Sequence, residues 1–462
     1  MRFLEVVVVL LSGVFILVAS IPGSRRRGSA ALLLIIILLT LIHLFVEGYR
    51  WQMLPLYALL GFGVFVKNRE ASMVSTLGLM FLWLTAFLLP ILIPMVKLPV
   101  PTGPFSVGTV LYHWTDTSRT EWFTDDPEDL REVPVQLWYP AFPEVDADPT
   151  PYIDHIDLRA EAIGERVGLP AFMMGHLNLI STHSVMNASA REGNFPLILF
   201  SHGLGGMRAQ NTVLMEELAS HGYIVAAMDH PFDANTTVFP TIERDESQRV
   251  ADYRSSIPEG TADSVWLEIR NRQLDTRIAD VRFVLNQLQT VFTPLQNNID
   301  FTRVGISGHS FGGATAVLTA IKDSRIRAVV ALDGWFVPLA LSDTDTRLDV
   351  PFLYMGQERW KSWNEKRHRY YLNLLIEQTG DDAFLYTVKK SRHYDYADIP
   401  LFSPIAPFIG LTGFPDGREM VRIVNSTTLR FFDDYIKSVP PRLFTLSDSP
   451  HITIKRGGAS SS

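Results

Sequence analysis

Cysteine is absent from the 462 residues of the chain, and charged residues make up only 19% of it. Without cysteine there can be no disulfide framework, iron–sulfur cluster, cysteine-based zinc site or cysteine nucleophile. The low charge and the 28 phenylalanines exclude a mainly disordered chain, because disordered chains are highly charged and poor in aromatic residues. We therefore expect a folded protein.

Most of the chain also lacks a net positive charge. Residues 1–98 carry eight basic and three acidic side chains, a net charge of +5, so the total of −8 leaves −13 for residues 99–462. An acidic domain repels a phosphate backbone. Nucleic acid is therefore not an expected partner.

Long apolar runs, in contrast, fill the first block at 3–21, 30–46, 51–66 and 73–96. A helix needs about 20 apolar residues to cross ~30 Å of hydrocarbon. The second and third runs are slightly short, but Tyr49, Arg50 and Trp51 can lie in the membrane interface between them. Four consecutive runs with short charged loops favour membrane spans over buried core helices. We therefore expect a transmembrane block of about four helices at residues 1–98.

The basic residues of the loops predict the orientation of this block. Three arginines at 25–27 separate the first two runs, Lys67 and Arg69 separate the last two, and Arg50 is alone between the second and third. The positive-inside rule places the first two of these loops in the cytoplasm. We expect a multi-pass protein with its N-terminus and all residues after 96 on the extracytoplasmic side.

A cleaved signal peptide at residues 2–20, ending in the small residues Val18, Ala19 and Ser20, is an alternative interpretation of the first run. Cleavage there would leave the three arginines outside the cytoplasm, against the positive-inside rule. Glu5 is also unusual in the first part of a signal peptide. These two observations favour a membrane helix.

A proline-rich segment at 98–104 cannot continue a helix and marks the clearest domain boundary. In residues 99–455, short apolar runs such as Pro196–Ser201 and Ile224–Asp229 alternate with helical patterns such as 274–288. This alternation predicts an α/β domain whose sheet is mostly parallel, with helices on both faces. Residues 456–462, rich in glycine and serine, are expected to form a disordered tail.

The most informative segment reads GHSFG at residues 308–312, a G-x-S-x-G pattern between a predicted strand and an alanine-rich helix. This context is that of the nucleophile elbow of the α/β-hydrolase fold, a strained turn that lifts the serine above the sheet edge. The amino terminus of the following helix favours negative charge at the site. The pattern predicts that Ser310 is a catalytic serine in an α/β-hydrolase domain.

A serine hydroxyl needs a base that removes its proton. Of the 12 histidines, His393 directly follows the last predicted strand, where this fold places its base. His309 should point away from the serine, and His368, in a basic helical stretch, is expected at the surface. Two carboxylates could orient the imidazole: Asp333 after the next strand, and Glu358 after the strand that follows it. The residues alone leave both open.

An oxyanion hole needs two backbone donors. Phe311, directly after the serine, supplies one, and the glycine-rich loop Ser201–Gly206 should supply the other at Leu204. That loop lacks the spacing of a phosphate-binding loop, G-x-x-x-x-G-K-[ST] or G-x-G-x-x-G. No cluster of metal-binding residues stands out, so we expect neither a metal nor a cofactor.

Three segments, FSHGLG at 200–205, GHSFGG at 308–313 and ALDGW at 331–335, together resemble the isoform II family of platelet-activating factor acetylhydrolases. PTGPFSVG at 101–108 and LWYP at 137–140 extend the resemblance over about residues 101–440. The resemblance implies Asp333 as the acid, His393 as the base, and Leu204 and Phe311 as the oxyanion donors. It also implies calcium-independent hydrolysis of short or oxidised acyl chains from phospholipids through an acyl-enzyme.

Two departures from the family are visible. Its vertebrate members lack a four-helix membrane block, and Gly334 stands where they carry alanine. The first departure leaves the physiological substrate open, whether a small-molecule ester or a phospholipid of the bilayer. Segment 170–175, in a helical insert at about 152–180, could be a lid, a membrane-facing patch or an ordinary core contact.

We therefore expect a membrane-anchored serine esterase. An acyltransferase or an esterase of non-lipid substrates would use the same three residues. A catalytically inactive binding protein is a third possibility, which intact Ser310, Asp333 and His393 disfavour, because an inactive domain has no physical need for all three.

Overall fold

A computed structural model describes residues 1–20, 28–66, 72–143, 146–240, 249–291, 293–340, 347–360, 364–414, 416–437 and 451–457. The two basic loops used to predict the orientation, at 25–27 and 67–69, lie outside these residues. The described part forms a helical block followed by an α/β domain.

The helical block consists of α1 (Phe3–Ser20), α2 (Gly28–Val46), α3 (Leu54–Val66) and α4 (Met73–Leu92), with a short 3-10 turn at Trp51–Met53 before α3. These elements follow the four apolar runs closely. The last helix ends four residues earlier than its run, because Pro94 disfavours helical geometry at the preceding residue, and Ile93 is already non-helical with φ −126° and ψ 75°.

Apolar side chains lie both inside this block and on its outer surface. Phe15, Ile36 and Leu59 are buried in a core shared by the helices, whereas Phe3 and Phe45 are 77% and 93% exposed. By length and composition, two of the described helices, α2 and α4, are long and apolar enough to cross a membrane, and the other two are shorter. The helices are thus confirmed, and the crossing stays a prediction.

The strands of the α/β domain are β1 (Ser106–Thr120), β2 (Leu130–Ala141), β3 (Pro149–Pro151), β4 (Ser181–Met186), β5 (Phe195–Ser201), β6 (Ile224–Met228), β7 (Thr236–Val238), β8 (Val250–Asp252), β9 (Ile299–His309), β10 (Ile326–Leu332), β11 (Phe352–Gln357), β12 (Ala383–Val388) and β13 (Ile452–Arg456). Within the described residues, eleven of them form one sheet in the order β13-β12-β11-β10-β9-β5-β6-β2-β1-β4-β3. The run from β12 to β6 is parallel. The predicted mostly parallel sheet is confirmed, with antiparallel strands added towards its margins.

The helices of the domain are α5 (Ile156–Val167), α6 (Thr212–Ser220), α7 (Asp263–Thr290), α8 (Phe311–Lys322), α9 (Glu365–Thr379) and α10 (Gly417–Tyr435). The apolar residues of α7, α8 and α9 pack on one face of the sheet. Those of α6 and α10 pack on the other face. Both faces are therefore covered, which leaves the carboxyl ends of the parallel strands as the edge where functional groups can meet.

The disordered tail was predicted to begin at residue 456, but the last strand of the structure includes this residue. Arg456 is the last residue of β13, which pairs antiparallel with β12, and the Gly457 N–H donates to the Ala383 carbonyl oxygen at 2.9 Å. The composition of the segment could not reveal this pairing, because the partner strand lies about 70 residues earlier in the chain. Residues 458–462 of the predicted tail lie outside the described part.

Candidate active site

Ser310 occupies the sharp turn between β9 and α8. Its backbone has φ 57° and ψ −120°, a strained conformation for a residue with a side chain. The glycines around it are required by close packing. A Cβ on Gly308 would lie 2.1 Å from the Gly312 carbonyl oxygen, and one on Gly312 would lie 2.0 Å from the Ser201 carbonyl oxygen. The sequence therefore folds into the predicted elbow, with Ser310 at the strand end.

Two hydrogen bonds connect Ser310, His393 and Asp333 in series. Ser310 Oγ lies 2.8 Å from His393 Nε2, although 83 residues separate them. His393 Nδ1 lies 2.7 Å from Asp333 Oδ2. Asp333 is fully buried, whereas the His393 side chain is 27% exposed. The geometry is that of a nucleophile, a base and an orienting acid, with the base open to an incoming substrate.

Asp333 is held by donors other than the histidine. The Gln357 N–H and side-chain amide lie 3.0 and 2.8 Å from its two oxygens, and the Tyr354 hydroxyl lies 3.4 Å away. The competing carboxylate, Glu358, is exposed, and its Oε2 accepts a long hydrogen bond from the Lys390 N–H at 3.4 Å. The geometry thus favours Asp333.

The glycine-rich loop after β5 lies against Ser310, since a Cβ on Gly203 would be 3.2 Å from Ser310 Cβ. Other amides of this loop are occupied: the Gly205 N–H donates to the Asp233 carbonyl at 2.8 Å. Neither the Leu204 N–H nor the Phe311 N–H donates to any described residue. These two amides are available for an oxyanion beside Ser310.

His309 was expected to point away from the serine, but its ring packs on the ring of His393. Its Nε2 lies 3.0 Å from the His393 carbonyl oxygen. Burial, reinforced by the nearby His393, lowers the pKa of His309 to about 3, so the ring is neutral and its Nε2–H donates to that carbonyl. Sequence reasoning missed this contact because its partner is 84 residues away.

His368 was expected at the surface, and this expectation is wrong. The residue is buried, and its Nδ1 accepts the Phe336 N–H at 3.2 Å. Its Nε2 lies 3.3 Å from the hydroxyl of Tyr354, the tyrosine that reaches Asp333. Burial lowers the pKa of His368 to about 4. The sequence did contain a signal for this burial, because His368 precedes Leu372 and Leu375 by four and seven residues and so lies on the apolar face of α9.

The insert at 152–180 connects the helical block to the glycine-rich loop. The Trp51 indole N–H donates to the Met173 carbonyl oxygen at 2.9 Å, and Phe172 packs edge-on against the Trp51 ring while staying 61% exposed. Met174 is a core contact. At the end of α5, Arg166 Nη2 lies 2.8 Å from the Leu204 carbonyl oxygen. The segment thus combines core contacts with an exposed apolar side chain.

One group of side chains in the described residues has the spacing of a metal site. The ligand atoms of Glu5, His43 and Glu47 all lie within 4.8 Å of one another. Arg50 Nη2 already lies 2.5 Å from Glu5, and Arg2 Nε lies 2.8 Å from it. Two guanidinium groups beside the same carboxylate oppose a cation, so these residues do not fit a metal.

Comparison with known proteins places the similarity in the α/β domain. The sequence model of the family described as platelet-activating factor acetylhydrolase, isoform II, matches residues 91–439. Platelet-activating factor acetylhydrolase of Cavia porcellus is 27% identical over 73% of this chain and 78% of its own length. That of Gallus gallus is 24% identical over 74% and 84%. A solved ferulic acid esterase from Streptomyces cinnamoneus is 26% identical, with a TM-score of 0.64 over 78% of this chain and all of that one.

Proposed function

We propose that this chain, which belongs to the platelet-activating factor acetylhydrolase isoform II family, hydrolyses short or oxidised acyl esters with Ser310, His393 and Asp333. Family membership makes it an esterase of the 1-alkyl-2-acetylglycerophosphocholine esterase-like class. The observation that carries the catalytic assignment is the continuous hydrogen-bond series from Ser310 Oγ to Asp333 Oδ2, with distances of 2.8 and 2.7 Å.

Acylation follows from this arrangement. Ser310 Oγ bonds the ester carbonyl carbon as its proton passes to His393 Nε2, and Asp333 stabilises the resulting imidazolium. The electron pair of the C=O bond moves to oxygen, and the Leu204 and Phe311 amides stabilise this oxyanion. When the intermediate collapses, the bond to the leaving alcohol breaks and that alcohol takes the proton from Nε2. An acyl ester of Ser310 remains.

Deacylation repeats these steps with water. His393 Nε2 accepts a proton from the water as its oxygen bonds the acyl carbon, and the same two amides stabilise the second oxyanion. Collapse returns the proton to Ser310 Oγ and releases the carboxylic acid. The partial exposure of His393 supports this step, because water must reach the base.

We also propose that the helical block anchors this esterase in a membrane. The exposed apolar side chains of α2 and α4, such as Leu34 and Phe81, would form a large apolar patch in water, whereas lipid would cover them. By the positive-inside rule, the basic loops favour a position of the α/β domain outside the cytoplasm. Anchoring beside a bilayer raises the local concentration of lipid esters, which supports a phospholipid substrate.

A non-lipid carboxylic ester is the second candidate substrate, and the similarity to a solved ferulic acid esterase favours it. Hydrolysis rates separate the two candidates when measured on an sn-2 acetyl phospholipid, on a feruloyl ester and on p-nitrophenyl esters of graded chain length. The proposal expects the phospholipid and the shortest acyl chains to react fastest. A maximum at long chains, or a preference for the feruloyl ester, would contradict it.

A further inference from the structure

A second serine, histidine and aspartate are hydrogen-bonded in series beneath the glycine-rich loop. Ser201 Oγ lies 2.9 Å from His230 Nε2, and His230 Nδ1 lies 2.9 Å from Asp280 Oδ2. All three residues are 0% exposed. This buried array resembles the catalytic series in its distances, but no ester can reach Ser201, so its role differs.

The proton positions in the buried array follow from its surroundings. Burial, with Arg277 acting in the same direction, lowers the pKa of His230 to about 4, so the ring is neutral. Burial alone would raise the pKa of Asp280, but Arg131 at 2.6 Å and the bond from His230 hold it below its usual range. A neutral imidazole carries its proton on the nitrogen that faces a carboxylate, and in His230 that nitrogen is Nδ1. Its Nε2 therefore accepts the hydrogen bond that Ser201 Oγ donates.

Hydrogen bonds connect the buried array to the loop that carries the Leu204 amide. Ser201 is the last residue of β5, three positions before Leu204. The His230 N–H also donates to His202 Nε2 at 3.0 Å, and His202 Nδ1 lies 2.7 Å from the Gly203 carbonyl oxygen. Arg277 Nη1 donates to the His202 carbonyl at 2.6 Å. Two of these contacts, from Ser201 and from the His202 ring, end at residue 230, and Arg277 adds a third hold on the backbone between 201 and 203.

We propose that Ser201, His230 and Asp280 are positioning residues that hold the Leu204 N–H in place for the oxyanion. The inference rests on the proposed function, because it takes the Leu204 amide as an oxyanion donor. Such donors act only when they are fixed before the reaction, and a displacement of about 1 Å can cost ~10²-fold in rate. Loss of the buried array should therefore weaken transition-state binding more than substrate binding.

Ser201→Ala in the full-length protein tests this role, since it removes one hydroxyl and no other side-chain heavy atom. We expect kcat for p-nitrophenyl acetate to fall about 10- to 100-fold with KM changed less than about twofold. A trifluoromethyl ketone forms an oxyanion when Ser310 adds to it, so its affinity should fall by the same factor as kcat/KM. His230→Gln should reproduce both losses, and Ser201→Thr, which keeps the hydroxyl, should restore most of the rate.

Thr109→Val is the matched control, because it deletes another buried hydroxyl, which donates to the Leu137 carbonyl at 2.8 Å between β1 and β2. It should leave kcat and ketone affinity unchanged even if the unfolding temperature falls. If Ser201→Ala and His230→Gln lower only the unfolding temperature and keep the ketone affinity, the positioning role is wrong. If Ser201→Ala does not fold, kcat and the ketone affinity of His230→Gln decide whether the positioning role is right. Full activity of Ser310→Ala would instead overturn the proposed function itself.

Discussion

The ring of His309 lies 4.6 Å from the ring of His393, and its Nε2 lies 3.0 Å from the backbone oxygen of the same residue. The residue that precedes the proposed nucleophile thus holds the backbone of the proposed base. This contact joins the β9–α8 turn to the loop after β12, so Ser310 and His393 keep their separation without relying on their mutual hydrogen bond alone.

His309→Phe tests this support, because it keeps a ring against His393 and removes the hydrogen bond. A single hydrogen bond contributes about 0.5–1.5 kcal/mol. If that support is lost in the transition state, we expect kcat to fall about 2- to 13-fold. The pH at which kcat/KM reaches half its maximum should stay unchanged, since the ring of His309 is neutral throughout the neutral range. A shift of that midpoint by one pH unit would show that His309 itself takes part in proton transfer.

Asp333→Asn and Glu358→Gln distinguish the two candidate acids. The asparagine would favour the wrong tautomer of His393 and could not stabilise its charged form, so kcat for an acetyl ester should fall by ~10⁴. Glu358 is exposed and bonded to the Lys390 backbone, so its glutamine variant should keep a rate within about twofold of the wild type. The reverse ranking would assign the acid to Glu358.

Buried neutral histidines should make the fold sensitive to acid. The pKa of His309 is lowered to about 3, and those of His230 and His368 to about 4, chiefly by burial. In the unfolded chain these rings titrate near ~6.5, so between about pH 4 and 6.5 the unfolded state binds more protons. Stability is therefore present above about pH 6.5 and is lost as the pH falls, by about 1.4 kcal/mol per pH unit for each histidine.

Asp398 has the opposite effect on stability between about pH 4 and 6.5. Burial raises its pKa to about 8, so its contribution is present at about pH 4 and declines as the pH rises. Unfolding temperatures of the full chain in detergent should still rise with pH between about pH 4 and 6.5, because in that window the three histidines outweigh this one carboxyl. His309→Phe should reduce the slope of unfolding temperature against pH, because one of the three titrating histidines is gone. An unfolding temperature that does not change with pH would contradict the buried neutral rings.

The absence of cysteine gives a direct test of membrane topology. Single cysteines at Ser24, in the first predicted cytoplasmic loop, and at Ser426, exposed on α10, create two reporters in an otherwise unreactive chain. In intact cells, a membrane-impermeant maleimide should label Ser426→Cys and spare Ser24→Cys until the cells are permeabilised. Labelling of Ser24→Cys alone would reverse the orientation. Labelling of both would place both positions outside the cytoplasm and contradict the three crossings predicted between them.

Local signals in the sequence were sufficient for part of the account. The four apolar runs predict the helices, and the G-x-S-x-G pattern between a strand and a helix predicts the turn at Ser310, because both depend on residues adjacent in the chain. His393 could be selected by its position after the last predicted strand. The choice between Asp333 and Glu358 could not be made from the residues, since each follows a strand and only the side-chain directions separate them.

The remaining features depend on contacts between distant residues. Ser201, His230 and Asp280 are separated by 29 and 50 residues and share no motif, so only the fold brings them together. His368 lies among basic residues. The apolar residues of α9 indicate its burial, but its hydrogen-bond partners lie 32 and 14 residues away. Polar side chains inside a core are the hardest to predict, because their partners decide whether burial is tolerated.

Fluorophosphonate labelling of the full-length protein tests the central claim most directly, since this reagent reacts with an activated serine. We predict one adduct per chain, located by mass spectrometry on the peptide that contains Ser310, with ester hydrolysis lost in proportion to labelling. Ser310→Ala should show neither adduct nor hydrolysis. An unlabelled wild type, an adduct on another serine, or undiminished hydrolysis by Ser310→Ala would contradict the claim that Ser310, His393 and Asp333 form the active site.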